Sequence, residues 1–411
     1  MKIKTISRSK HKISEEQISQ NALKVLRVLH NAGFDAYLVG GCVRDLLLGR
    51  MPKDFDIVTD ALPNQIKKLF RNCRLIGRRF RLAHVYFGRE IIEVATFRAG
   101  DIHTAHKTKD GLVMRDNVYG TIDQDVDRRD FTVNALFYDV FSHKILDFVN
   151  GFEDLCAKKL DIIGRPSLRY REDPVRILRA VRIAGKLGFT LTSRTAQPIK
   201  RLNRLLKNIV PARIFDEVVK TFHCGAAQAI YPLLIRFDLL EKILPLTAHN
   251  IKLPRAKVDA FIKKLLRDTD MRIQQNKVVA PAFLFAALLW YALMPVWEKL
   301  VKQDVPNSVA FDKAISEVLR VQRQHLAIPH RISLVMREIW RLQRKLELLN
   351  PRSIWYVFEH RRFRAAYDLL LLRSKVEKKL RGMVDWWEQF QVASREKRDE
   401  MVLALDYEGV I

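Results

Sequence analysis

Apolar residues recur at helical spacing over 19–31, where Ala22, Val25, Leu26 and Leu29 share one face and Gly33 ends the pattern. From Asp35 to Phe148 the period shortens. Compact apolar runs appear there: AYLV at 36–39, FDIV at 55–58, AHVYF at 83–87, IIEVATF at 91–97 and ALFYDV at 135–140. They predict strands with helices between them. The polar stretch 99–120, rich in His, Lys, Asp and Gly, predicts a long loop, of a length uncommon unless mobile or functional. Beyond Leu160 helical periodicity takes over, at 173–187, 196–208, 212–222, 226–243, 255–268, 282–294, 308–324, 331–348, 351–373 and 375–391. The fold class is therefore α+β, a mixed sheet with helices followed by a mostly α-helical C-terminal part.

These changes of pattern divide the chain into a basic N-terminal arm at 1–20, a mixed domain at 21–155 and helical regions at 156–222 and 223–411. The arm, MKIKTISRSKHK onward, lacks the apolar run of a secretory signal. Residues 278–297 carry no charge, but Pro281 and Pro295 interrupt them. The helix between the prolines spans only about 20 Å at about 1.5 Å per residue. That is short of a bilayer core of roughly 30 Å, so a buried helix and no membrane partner are expected.

The chain has 411 residues, 48% hydrophobic and 29% charged, which excludes a disordered or fibrous chain and suits two or three domains. The charge changes the picture further. Lys plus Arg total 73 against 46 Asp plus Glu, a formal net charge of +27, which favours a polyanionic partner. Four cysteines lie far apart with no C-x-x-C pair, so neither a disulfide framework nor a zinc site is expected, and a reducing cytoplasm is.

Three features carry candidate chemistry. Gly40 and Gly41 follow a predicted strand and open a helix, where backbone N–H groups can approach a phosphate with Arg44 beside them. In KDFDIV, read as a strand, Asp54 and Asp56 share a face and repel unless a hard divalent cation sits between them. Glu93 lies among apolar neighbours and needs a metal or an Arg as partner. Asp130 can cap the following helix, hold a ribose hydroxyl or join a metal cluster, and Arg129 can pair with a triphosphate.

The runs LVGGCVRDLLLG (38–49), KDFDIVT (53–59), RRDFTVNAL (128–136) and REDPVRILRAVRIAGKLGF (171–189) together resemble the class II nucleotidyltransferase superfamily, and occur in its order. Its members are the bacterial poly(A) polymerases and the CCA-adding tRNA nucleotidyltransferases. The basic segment IGRRFRLAHV (76–85) is most similar to the poly(A) polymerase branch. The resemblance implies a catalytic palm at 21–155, a neck at 156–222 for base recognition and RNA binding, and a body and leg at 223–411 that bind RNA. It implies that Asp54, Asp56 and Asp130 are catalytic, with two Mg²⁺ ions on Asp54 and Asp56 and Glu93 in reserve. Gly40, Gly41 and Arg44 match the triphosphate motif, and Arg129 and Asn134 the motif near sugar and phosphates. Arg213 and Glu217, in PARIFDEVVK, match a structural motif. The implied activity is template-independent transfer of AMP from ATP to RNA 3′ ends, promoting mRNA polyadenylation and decay, with RNA-decay factors as further partners.

Base choice can be argued from side chains. Asp173 and Arg176, three apart, share a helix face. An Asp accepts from an exocyclic amine and an Arg donates to a ring nitrogen, which suits adenine and cytosine and refuses guanine and uracil. The pair does not separate an A-only enzyme from a CCA-adding one. Arg179 and Arg182 extend the ridge toward phosphates. Lys200, Arg201, Arg204 and Lys207 form a cluster free of acidic neighbours, and Arg361, Arg362 and Arg364 open a second, with Phe363 and Tyr367 interleaved. Both clusters suit RNA backbone binding. A CCA-adding enzyme is the alternative; no His-Asp dipeptide marks the phosphohydrolase domain that some of them carry. A non-catalytic RNA-binding protein on the same fold would have lost a metal carboxylate, yet Asp54, Asp56 and Asp130 are all present. Cys42 stands where the family pattern expects Gly or Ala.

Overall fold

A computed structural model describes residues 3–77, 81–99, 118–252 and 256–407. Most of the loop expected at 99–120, part of the basic segment 76–85 and the last four residues lie outside the described residues. The chain forms two compact units, Met1–Leu202 and Asn203–Ile411.

The first unit is built on one mixed sheet. Its strands are β1 (Lys4–Ile6), β2 (Ala36–Val39), β3 (Asp56–Thr59), β4 (Cys73–Ile76), β5 (Leu82–Phe87), β6 (Glu90–Thr96), β7 (Leu136–Asp139) and β8 (Lys144–Asp147). They lie in the order β1-β8-β7-β2-β3-β6-β5-β4, antiparallel throughout except for the pair β3–β6. Both faces of the central strands are covered, which explains why β2, β3 and β7 read as mostly apolar runs. Leu38 and Ile57 point into one core layer, and their neighbours Val39 and Val58 into the layer on the opposite face. Each buried Leu or Phe side chain contributes roughly 1.5–3 kcal/mol.

Helix α1 (Gln20–Asn31) starts where Ser19 Oγ accepts from the backbone N–H of Asn21 and Ala22. It buries the predicted face of Ala22, Val25, Leu26 and Leu29. Further helices are α2 (Gly41–Leu47), α3 (Pro63–Leu69), α4 (Ile122–Arg128), α5 (Gly151–Cys156), α6 (Pro166–Glu172) and α7 (Val175–Leu187). Gly151 lets α5 press against the turn after Asp130, because a Cβ there would lie 2.2 Å from the Thr132 carbonyl oxygen.

Several expectations need correction. The N-terminal segment is not a loose arm: Lys4–Ile6 pairs with β8 at the sheet edge, and His11, Ile13 and Ile18 are buried. The strand carrying the paired aspartates begins at Asp56, so Asp54 precedes it. The helix expected from Asp173 starts at Val175, and Asp173 sits in the break after α6.

The second unit is helical among the described residues. The helix expected at 196–208 is broken into Ser193–Ala196, Ile199–Leu202 and a 3₁₀ stretch at Asn203–Asn208, with Pro198 at the first break. The unit boundary at Leu202 thus falls inside the helical region 156–222. The uncharged stretch 278–297 forms Pro281–Leu288 and Trp290–Val301, bent by 50°. Its break is at Leu289 rather than at the second proline, and Leu284, Phe285, Trp290 and Leu293 are buried in the unit's core. No single described helix is long and apolar enough to cross a membrane.

Candidate functional site

The site forms where β2 turns into α2. Gly40 has φ +82° and ψ −133°, a backbone conformation open essentially to glycine. A Cβ at Gly40 would lie 3.9 Å from Arg129 Nη1 and 4.0 Å from Asp56 Oδ2 and from the Asn134 carbonyl oxygen. The glycine, itself buried, therefore carries the turn's backbone between a carboxylate and a guanidinium. Arg44, 7% exposed, donates from Nη1 to Asn134 Oδ1 at 2.7 Å and from Nε to Asp45 Oδ1 at 2.8 Å.

Asp56 and Glu93 stand opposite each other on the parallel strands β3 and β6. Asp56 opens to solvent at the strand's start, yet the packed chain beneath it and the neighbouring charges of Glu93 and Asp54 push its carboxyl up to about 6, against the pull of Arg129. Glu93 finds a partner the sequence did not point to: His84, across the β5–β6 pair, brings Nε2 within 3.6 Å of its Oε1. Among the described residues no three Asp, Glu, His or Cys side chains converge as a ready-made metal cluster.

Asp130 stands apart from these carboxylates in its bonding. Its Oδ2 accepts from Arg179 Nε at 2.9 Å and Nη2 at 2.5 Å, and its Oδ1 from Asn134 Nδ2 at 3.1 Å and the Phe131 N–H at 2.8 Å. Burial pushes its carboxyl up, but the charge and hydrogen bonds of Arg179 prevail and hold it down to about 2. Both oxygens of Asp130 accept from protein donors. A chain of polar contacts thus runs Asp45–Arg44–Asn134–Asp130–Arg179.

A second anchor escaped the sequence reading. Asp125 is fully buried and grips both neighbouring arginines: Arg128 at 2.8 and 2.6 Å through Oδ1, and Arg129 at 3.0 and 2.7 Å through Oδ2. Its burial raises the carboxyl pKa, but the two guanidinium charges bring it below the usual range. Arg129 also lies over the Phe137 ring, 5.0 Å from its centre. The D-x-x-R-R spacing at 125–129, on one turn of α4, was the available signal.

The base-reading pair is arranged differently from expectation. Asp173 is not on the face of α7; its Oδ1 accepts from the Val175 N–H at 3.3 Å in the break before that helix. Arg176 Nη1 lies 3.2 Å from Glu172 Oε2 and 3.0 Å from the Arg169 carbonyl oxygen. Arg169 in turn donates to the carbonyl oxygens of Arg128 and Arg129 at 2.8 and 2.7 Å. The α6–α7 break is thereby tied to the backbone that carries the two arginines. Arg182 is half-buried on α7.

Of the residues expected to bind RNA, Lys200, Arg201, Arg204 and Lys207 are exposed. Arg361 and Arg362 share Glu338 at 2.5 and 2.9 Å, and Arg364 pairs with Asp368 at 3.0 Å. Phe363 and Tyr367 are core residues, not surface stacking platforms. Glu217 is buried and Arg213 is exposed. Cys42 is packed in the core, its Sγ donating to the Val39 carbonyl oxygen at 3.2 Å, which is how the position tolerates it.

Comparison with known proteins places this geometry. Residues 36–161 match the poly A polymerase head domain, 188–251 the probable RNA- and SrmB-binding site of polymerase A, and 303–409 the polymerase A arginine-rich C-terminus. The chain is 45% identical over 416 residues to a poly(A) polymerase I of Escherichia coli O6:H1, covering 99% of this chain and 90% of that one. A CCA-adding enzyme of Lactobacillus helveticus is 42% identical over 199 residues, 48% of this chain and 49% of that one. The crystal structure of the Bacillus stearothermophilus CCA-adding enzyme in complex with CTP superimposes with a TM-score of 0.58 at 25% identity, over 89% of this chain and 81% of that one.

Proposed function

The chain belongs to the poly(A) polymerase family, and we propose from that premise that it transfers AMP from ATP to RNA 3′ ends without a template, releasing pyrophosphate. The observation that carries the proposal is the convergence of Asp56 and Arg129 on the Gly40 turn in a chain 45% identical to a poly(A) polymerase over its length. The sequence match to the CCA-adding enzyme of Lactobacillus helveticus covers 48% of the chain, against 99% for the poly(A) polymerase I, which disfavours that alternative.

In this reading Gly40, Gly41, Arg44 and Arg129 hold the triphosphate. Arg44 is oriented by Asn134 and Asp45, and Arg129 by Asp125, so neither has to be ordered when ATP arrives. Asp54 and Asp56, with Glu93 nearby, fit Mg²⁺: the ion usually takes one or two carboxylates and completes its shell with substrate phosphates and water. Burial raises the Asp56 carboxyl first, and the charges of Glu93 and Asp54 add a repulsion that a cation would relieve. Two bound ions would supply activation of the RNA 3′-hydroxyl and charge neutralisation on the leaving pyrophosphate. Asp130 acts as a positioning residue, fixing Asn134 and through it Arg44. Asp173 and Arg176 meet the base, with Glu172 and Arg169 aiming Arg176. The RNA body follows basic surfaces such as Lys200 and Arg201. A role in mRNA decay, association with decay factors and a cytoplasmic location belong to the same reading.

The test is pyrophosphate release from ATP in the presence of Mg²⁺ and an unstructured RNA. Wild-type protein should release it in proportion to AMP incorporated, and the Asp54→Asn and Asp56→Asn proteins should not. Release that persists in both variants would refute the assignment of these carboxylates.

A further inference from the structure

The C-terminal unit contains an open cavity of about 580 Å³. It is walled by the helices Ala256–Gln274, Pro281–Leu288, His330–Leu348 and Phe363–Ser374 and by the segment joining the first two. That volume lies within the usual range for small-ligand sites. The floor is apolar: Leu265, Ile339 and Leu372 are buried, while Phe283, Val335 and Leu371 remain half-buried facing the space. The rim is cationic, with seven Lys and Arg side chains against two carboxylates, Asp268 and Asp368. Most of these charges are already matched. Lys264 pairs with Asp268, Arg364 with Asp368, and Arg361 and Arg362 with Glu338. Arg272, Lys277 and Lys375 make no ion pair among the described residues. Lys277 and Lys375 are exposed, and Val278 beside them is 86% exposed.

An apolar floor with a half-open aromatic ring and three rim cations outside any ion pair among the described residues is suited to a ligand with both a flat apolar part and separated anionic groups. A nucleotide within a strand has that chemistry: a base that stacks and a phosphate on either side. An inorganic anion would leave the floor unused, and an apolar ligand would leave the rim unmatched. We propose that this cavity seats one nucleotide of the single-stranded RNA substrate, upstream of its reacting 3′ end. The base lies against Phe283, and the flanking phosphates meet Arg272, Lys277 and Lys375. The assignment rests on the reading of the chain as an RNA-tailing enzyme. Much of the lining, from Lys264 to Phe283, falls between the segments matched at 188–251 and 303–409, so those matches do not assign it.

The functional consequence is a primer-length effect. A primer long enough to reach the cavity gains affinity that a shorter one lacks, while ATP use is unaffected.

The experiment measures KM for a short and for a long unstructured primer, and KM for ATP, with the full chain. It also measures direct binding of a fluorescent oligoadenylate, with and without AMP as competitor. Two variants are compared with wild type: the exposed double substitution Lys277→Glu/Lys375→Glu, and Phe283→Leu, which keeps an apolar side chain but removes the stacking ring. Both should raise the long-primer KM and weaken oligoadenylate binding, the charge reversal by about 10-fold or more, and leave the short-primer and ATP values within about twofold. Loss of stacking alone should show as a several-fold effect of Phe283→Leu. Unchanged long-primer KM and oligoadenylate affinity in both variants would overturn the proposal. So would variants that alter only ATP or AMP binding, since the occupant would then be a free nucleotide. Absence of AMP incorporation by wild type would instead defeat the reading of the activity, and the direct binding arm would still decide the cavity.

Discussion

Arg179 closes two donors on one oxygen of Asp130: its Nε and Nη2 lie 2.9 and 2.5 Å from Oδ2. A carboxylate held this way, with its other oxygen taken by Asn134 and the Phe131 N–H, is a scaffold for the site. Arg179→Ala should therefore cost stability, about 1–3 kcal/mol given that the arginine is 38% and the aspartate 11% exposed. The double variant with Asp130→Asn should lose less than the sum of the single changes, because no lone carboxylate remains. Denaturant unfolding of the four proteins checks this. The carboxyl is held below its unfolded value, so the pair stabilises fully above the usual carboxylate range, and its contribution is lost as pH falls through about 2.

Asp56 has the opposite sign. Its folded carboxyl is raised to about 6, so the folded chain holds a proton that the unfolded chain gives up from about pH 4 upward. Stability contributed by Asp56 is present below that range and is lost as pH rises through about 6. The metal-free Asp56→Asn protein should melt at a higher temperature than wild type at pH 8 and at the same temperature near pH 4. Its AMP incorporation should fall by more than about 100-fold. Because Mg²⁺ binds the ionised carboxylate, the Mg²⁺ concentration needed for half-maximal rate should rise below pH 6 in wild type, approaching tenfold per pH unit for one proton. A flat Mg²⁺ requirement between pH 5 and 8 would separate Asp56 from the metal.

Asp125 holds Arg128 and Arg129 with one buried carboxylate. Asp125→Asn leaves two guanidinium groups without their counter-charge, a loss of about 3–5 kcal/mol when such a pair is buried. The surviving folded protein should show a raised KM for ATP, because Arg129 is no longer held beside Gly40 and Asp56. Thermal melts together with KM and kcat for ATP distinguish this from loss of fold alone. An unchanged KM would mean that Arg129 does not touch the triphosphate.

Glu172 shares one oxygen between Arg169 and Arg176. Glu172→Gln weakens charge-assisted hydrogen bonds worth about 1.5–3 kcal/mol each and frees the Arg176 side chain. Discrimination of ATP against GTP should fall by about 10-fold or more, with smaller loss of total incorporation. The ratio of kcat/KM for the two nucleotides is the readout.

How far the sequence carried depends on the range of the interactions. The runs around Val39, Val58, Val94 and Phe137 read as strands because most of their positions are apolar and pack into the layers on the two faces of the sheet. The strands Lys4–Ile6, Cys73–Ile76 and Lys144–Asp147 did not, being short and charged, and their pairing comes from distant chain. Asp54, Asp56, Gly40 and Arg44 stood out because their motifs are local. Arg179 bonds across 49 residues to Asp130, and His84 meets Glu93 only through strand register, so neither relation has a local signature. Phe363 and Tyr367 alternate with arginines in sequence but turn inward on their helix, where the core outweighs the neighbouring charge. The break at Leu289 has no breaker residue to announce it in the sequence.

The most direct measurement is incorporation of each of the four nucleoside triphosphates, supplied singly with Mg²⁺, on an unstructured RNA and on a tRNA lacking its CCA end. The account predicts long products with ATP alone on the unstructured RNA. Addition confined to the tRNA, requiring CTP and ATP and stopping after CCA, would contradict it.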